Sequence, residues 1–136
     1  MKKIIRLMTF IALLTFYLTA CKKSDKQPKT TIEKVQGKWS LQSEVLNEHF
    51  AGHDNITTTP GEANDIIDFR TDGKVYSVVT GIQDTSTYAL SGDTKIILDG
   101  TQSYDIKELT SSSFIIYNKE IYGPDEYDEI TISLKR

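Results

Sequence analysis

Beyond Gly37 the chain takes on a two-residue rhythm. Trp39, Leu41, Ser43 and Val45 alternate with Lys38, Ser40, Gln42 and Glu44, the period of a half-buried strand. Ile67 and Phe69 alternate with Asp68 and Arg70, then Thr71-Asp72-Gly73 turns the chain into the β-branched and aromatic run from Lys74 to Thr80. Short strands follow at Ser86–Leu90, closed by Ser91-Gly92-Asp93-Thr94, and at Lys95–Leu98, closed by Asp99-Gly100. Tyr104 and Ile106 then alternate with Asp105 and Lys107, and Leu109 leads into Thr110-Ser111-Ser112. Phe114, Ile116 and Asn118 alternate with Ile115, Tyr117 and Lys119. After Gly123-Pro124-Asp125, a last strand sets Ile130, Ile132 and Leu134 against Thr131, Ser133 and Lys135. These are eight strands with short connections. They predict an all-β protein, an eight-stranded antiparallel up-and-down meander that removes its edges by closing into a barrel.

Two segments break the rhythm. Thr31–Gln36 reads as a short helical turn, capped by Thr30 or Thr31 and ended by Gly37. Asn47 to about Ala63 is far longer than the roughly 2–5 residues of a hairpin loop and has no sustained apolar period. This stretch is expected to be a long loop serving as a lid or contact surface.

The start of the chain reads differently. Lys2, Lys3 and Arg6 precede an uncharged, mostly apolar run from Leu7 to Tyr17, and Leu18-Thr19-Ala20-Cys21 follows. A basic start, an apolar stretch too short to span with confidence, and small residues before a cysteine describe a secretory signal peptide. The Leu-Thr-Ala-Cys pattern resembles the bacterial lipobox. That resemblance implies cleavage after Ala20, lipid modification of Cys21 and attachment to a membrane. Lys22 in place of aspartate implies, by the same analogy, the outer membrane of a cell envelope. The expected organisation is therefore a signal peptide over 1–20, a lipidated flexible tether over 21–30 and a barrel domain over 31–136.

Cysteine and charge narrow the function. Cys21 is the only cysteine, so the mature chain carries neither a disulfide framework nor a thiolate metal site. Lys2, Lys3 and Arg6 lie ahead of it with no acid. The chain from Cys21 onward thus has 13 basic and 19 acidic residues, a net charge of −6. Such a balance argues against nucleic acid, which needs basic patches to displace counterions. Lys22, Lys23, Lys26 and Lys29 read as a solvated tether that can also touch anionic head groups.

Gly37-Lys38-Trp39, placed after a helical turn and opening the first strand, resembles the Gly-x-Trp signature of lipocalins and related barrels. Ile67-Asp68-Phe69-Arg70-Thr71-Asp72-Gly73-Lys74-Val75 and Tyr104–Thr110 resemble more specifically the small lipocalin-like lipoproteins of Bacteroidetes. The resemblance implies that Trp39 plugs the closed end of the barrel and that an arginine after the last strand, here Arg136, stacks on it. It also implies that the first inter-strand loop overhangs the open end. One departure is plain: the Thr-Asp-Tyr-type turn of many lipocalins is replaced by Thr110-Ser111-Ser112-Ser113.

Candidate chemistry is thin. Trp39 is expected to be a core plug rather than a ligand contact, because a large aromatic flanked by glycine and a strand favours burial. Tyr76, Tyr88 and Tyr104, with Phe69 and Phe114, can line a cavity or fill the barrel interior. His49 and His53 have the i, i+4 spacing of helical metal ligands, but their segment is not helical and no third ligand is placed, so both are expected as loop histidines that orient a ligand. Asp125, Glu126, Asp128 and Glu129 lack the spacing of a calcium loop. No nucleophile elbow and no phosphate-cradling glycine loop occur, so no enzyme and no cofactor are expected. The expected function is uptake of a small apolar ligand, with Phe50, His49, His53, Tyr76, Tyr88 and Tyr104 as contacts. The alternative is a filled barrel displaying its loops to an envelope protein.

Overall fold

The structure, a computed structural model, describes residues 29–136. The expected signal peptide, the lipidated Cys21 and the tether up to residue 28 lie outside the described residues.

A single helical turn, α1 (Thr31–Val35), opens the domain. The Thr30 hydroxyl accepts from the Glu33 backbone N–H while the Glu33 carboxylate accepts from the Thr30 backbone N–H at 2.7 Å. This reciprocal capping box satisfies donors that a five-residue helix would otherwise leave bare. Val35, fully buried, is the helix's contribution to the core.

Nine strands follow: β1 (Gly37–Phe50), β2 (His53–Pro60), β3 (Ile66–Phe69), β4 (Lys74–Val79), β5 (Ile82–Ser91), β6 (Lys95–Leu98), β7 (Gln102–Leu109), β8 (Ser113–Gly123) and β9 (Glu126–Lys135). From β3 to β9 each strand pairs antiparallel with the next, and β1 closes the ring by pairing with both β3 and β9. The result is the closed eight-stranded antiparallel barrel that the alternation predicts.

The ninth strand corrects an expectation. Asn47–Ala63 is not a lid loop, because β1 runs on to Phe50, turns at Ala51-Gly52 and returns as β2. Both turn residues have positive φ (51° and 74°), the geometry of a two-residue hairpin turn whose twist matches the flanking strands. β2 is exposed along its whole length, so burial imposes no apolar alternation on it. Its Ile56-Thr57-Thr58-Thr59 run is nonetheless β-branched and suited to a strand.

β2 and β3 lie end to end along the same edge of β1, separated by a short excursion. The Gly61 N–H donates to the Gln42 carbonyl at 2.9 Å, and the Leu41 N–H donates to the Asp65 carbonyl at 3.0 Å. Asp65 is 2% exposed, and its carboxylate is satisfied by the backbone N–H groups of Glu62 (2.8 Å) and Thr80 (2.7 Å). Opposite this excursion β1 carries a bulge between Leu41 and Ser43. A bulge shifts every later side chain to the other face. Past it Glu44 and Leu46 pair with Ile132 and Ile130, while Ser43 and Val45 pair with Ser133 and Thr131. Ile132 packs on the core, so Glu44 and Leu46 face inward and Ser43 and Val45 outward, opposite to an unbroken alternation.

Beyond the ring the outer halves of β8, β9 and β1 continue with β2 as a four-stranded blade, ordered β8-β9-β1-β2. The opposite end is closed by aromatic packing. Trp39 and Phe114 lie with ring centroids 5.4 Å apart, Phe69 meets Phe114 at 5.8 Å, and Phe69 meets Tyr88 edge-on at 5.2 Å. Ile96 and Leu134 complete this end of the core, both almost fully buried.

Candidate ligand-binding site

The barrel has one filled end and one open end. At the filled end Trp39 is 1% exposed, and its indole N–H donates to the Val35 carbonyl at 2.7 Å. The Arg136 guanidinium stacks 3.8 Å from the indole centroid. It also donates to the carbonyls of Lys38 and Val35, at 3.3 Å each, and of Gln36. Gly37 has φ +110°, and a Cβ there would press on the guanidinium. Glycine, tryptophan and arginine thus form one closed plug, with no room for a ligand beside the indole.

At the other end the blade's inner face runs into the mouth. Glu44 faces inward yet is exposed, so the mouth is open to water at its level. Leu46, Ile130 and Ile132 share this face and are partly buried. Across the mouth, Val79 of β4 also packs against the core. Tyr104 turns inward from β7 and is 8% exposed, and desolvation, with Glu44 and Glu120 adding to it, pushes its phenol above the usual tyrosine range.

The six residues named from the sequence as ligand contacts are scattered by the fold. Tyr104 lines the mouth. Phe50 and His53 are paired at the tip of the β1–β2 hairpin, with Phe50 66% exposed. Tyr88 belongs to the filled end, where its hydroxyl donates to the Arg70 carbonyl at 2.7 Å. Tyr76 neighbours the inward Val75 and points outward, under the Arg70 guanidinium at 3.8 Å. His49 lies on the blade's outer face. Its Nδ1 is 2.6 Å from Asp54 and its Nε2 3.0 Å from Asp125, and its ring stacks on Tyr127 at 4.5 Å. His49 and His53 therefore occupy opposite faces of the blade and do not converge. Among the described residues no group of three or more His, Cys, Asp and Glu side chains could hold a metal ion.

Sequence reasoning missed the carboxylates of the mouth. Glu44 and Glu48 face inward because of the bulge, and Glu120 and Asp128 pair across β8 and β9 on the same face. The signal for Glu120 and Asp128 was present, since each continues the inward alternation of Phe114–Ile116–Asn118 or Leu134–Ile132–Ile130. For Glu44 no local signal exists. Two further cavities open on the outer surface. One, of about 300 Å³ beside α1, is lined by Lys29, Lys34, Ser111 and Arg136. The other, of about 290 Å³, lies where β8 leaves β7 and is lined by Lys95, Ser103, Asp105, Tyr117, Asn118 and Lys119. Both are bordered by charged side chains and lie outside the mouth.

Comparison with protein families matches residues 35–116 to the lipocalin-like domain. Comparisons with curated proteins and with solved structures return no match. The matched segment opens just before the Trp39 plug and ends on the eighth strand, so it takes in most of the ring. The chain belongs to the family of lipocalin-like domains.

Proposed function

We propose that this protein is a non-catalytic carrier, held to the cell envelope through a lipidated Cys21, that takes a small ligand with an apolar body into the open end of its barrel. The carrying observation is the asymmetry of the barrel. One end is plugged by Trp39 and its aromatic neighbours, and the other leaves Leu46, Ile130 and Ile132 partly buried beside an inward, water-exposed Glu44. Apolar side chains beside a water-exposed carboxylate are the mixed lining that suits a small molecule. The lipobox resemblance supports the anchor, and acyl chains contribute about 0.8 kcal/mol per buried methylene. Native mass spectrometry of the protein, purified gently from its host, tests this reading. A reproducible small-molecule adduct lost on denaturation supports it, and a bare chain mass overturns it.

A second reading is favoured by a different observation. Phe50, Ile56, Ile121 and Tyr122 are 55–69% exposed, and all belong to the blade. An interaction module would present these side chains to another envelope protein. Phe50→Asp separates the two. A ligand held in the mouth stays bound in that variant, whereas a partner seated on the blade tip is lost from crosslinks.

A further inference from the structure

The closed ring has no free edge, but the blade has two. β2 ends the strand order, with β1 as its one neighbour among the described residues. The other edge belongs to β8, whose ladder with β7 stops at Tyr117 and Asp105 while the strand runs on to Gly123. That β8 edge is defended. It carries Lys119 and Glu120, and a bulge between Ile121 and Gly123 breaks its line. β2 lacks such devices. It is eight residues long with no lysine and no bulge, Pro60 comes only at its end, and its one acid, Asp54, is tied to His49 at 2.6 Å.

Backbone parity tells which groups of β2 are bare. Phe50 and His53 flank a two-residue turn, so they form a hydrogen-bonded pair, and such pairs recur at every second residue. At the far end the Gly61 N–H donates to the Gln42 carbonyl, which fixes the same parity. His53, Asn55, Thr57 and Thr59 therefore direct their N–H and C=O groups to β1. Those of Asp54, Ile56 and Thr58 point off the edge. Ile56, the middle one of the three, is 64% exposed.

We propose that β2 pairs antiparallel with β2 of a second copy of this chain, across a two-fold axis at Ile56. In that register Ile56 faces the partner's Ile56 and Asp54 faces the partner's Thr58. All six bare N–H and C=O groups of each copy then find partners. On the opposite face of the sheet Asn55 meets the partner's Thr57 and His53 the partner's Thr59, so polar side chains meet polar ones and no charge opposes a like charge. Neighbouring registers do worse. Sliding one way sets Asp54 against Pro60, which has no N–H. Sliding the other way puts Thr58 against the turn at Gly52, and one step further sets Asp54 against itself. Pairing of β2 with itself closes at two copies, whereas β2 laid on the β8 edge of a neighbour would repeat without end. Such a dimer neither needs nor excludes a ligand in the mouth.

Sedimentation velocity of the purified protein, across a wide concentration range, tests the idea. The expected result is a monomer–dimer equilibrium with no larger species. Ile56→Lys and Thr58→Lys, each checked for an unchanged melting temperature, weaken the dimer at least tenfold, and Ile121→Lys on the other edge leaves it intact. Crosslinking reads the register, on a Cys21→Ser background so that the introduced thiol is the only one. Ile56→Cys oxidises to a covalent dimer, because residues opposed in a hydrogen-bonded pair have Cα atoms about 5.5 Å apart. Thr58→Cys does not, being roughly 14 Å from its counterpart. A monomer at every concentration overturns the proposal, as does a dimer untouched by both lysines. Larger species that Ile121→Lys abolishes assign the β2 edge to β8 of a neighbour and overturn it too. Thr58→Cys crosslinking as readily as Ile56→Cys overturns the two-fold at Ile56.

Discussion

Trp39 illustrates how much one residue can do at the closed end. Its ring is covered by Phe114 on the inside and by Arg136 on the outside, and its single polar atom is satisfied by Val35. Trp39→Ala should cost about 3–5 kcal/mol, because the cavity it leaves cannot collapse against a rigid barrel. A denaturant titration checks this, and an unchanged midpoint would remove the plug assignment. Arg136→Ala should cost less, about 1–2 kcal/mol, from a partly exposed cation–π contact and hydrogen bonds to backbone carbonyls. The plug was legible in the sequence, because a lone tryptophan after a glycine and before alternating residues has few other places to go. The role of Arg136 was legible by resemblance alone, since nothing in its own position at the chain end demands a partner. Glu44 was not legible, because a bulge is a property of two paired strands and leaves no mark on one of them.

The element that sequence patterning read least well is the blade. Periodicity records burial, and β2 has none, so a hairpin with good turn and strand residues has the sequence pattern of a loop. Its hold on the barrel depends on Gly61, where a Cβ would run into the Leu41 carbonyl. Gly61→Ala should therefore destabilise the fold by about 1–3 kcal/mol, with amide exchange accelerating in β2 before β3. Uniform acceleration across the barrel would mean that the excursion is not a separate hinge point. The two hairpin tips are tied by His49, which needs a proton on each ring nitrogen to donate to Asp54 and Asp125 together. Its pKa is raised, first by the bond to Asp54 and then by that to Asp125, while His49 holds Asp54 below the usual carboxylate range. The histidine's contribution is complete below about pH 6.5 and fades as pH rises through the raised value. That of Asp54 is complete above about pH 4 and fades as pH falls through the lowered one. Melting His49→Gln beside the wild type should show the larger difference at pH 5.5 and a smaller one at pH 9. Equal differences at both would mean that the clamp is not ionic.

At the scale of the whole molecule, the eight-stranded ring was legible because each of its strands has one wet and one dry face. The described chain starts at the closed end, where Lys29 lies beside Arg136. Cys21→Ser should release the protein from the membrane fraction with its melting temperature unchanged; retention would mean that the apolar run anchors it uncleaved. The seam between β1 and β9 has a further consequence, in time rather than in space. It joins residues 76 positions apart at Phe50 and Glu126 and 95 apart at Ser40 and Lys135. Every other ladder in the ring that links consecutive strands can zip as the chain lengthens, but this one waits for the last residues to be made. Until then β1 and the growing strands present raw edges, and the plug lacks both Leu134 and Arg136. A chain shortened by even the final strand would be an open sheet instead of a barrel, with two sticky edges for a neighbour to pair with.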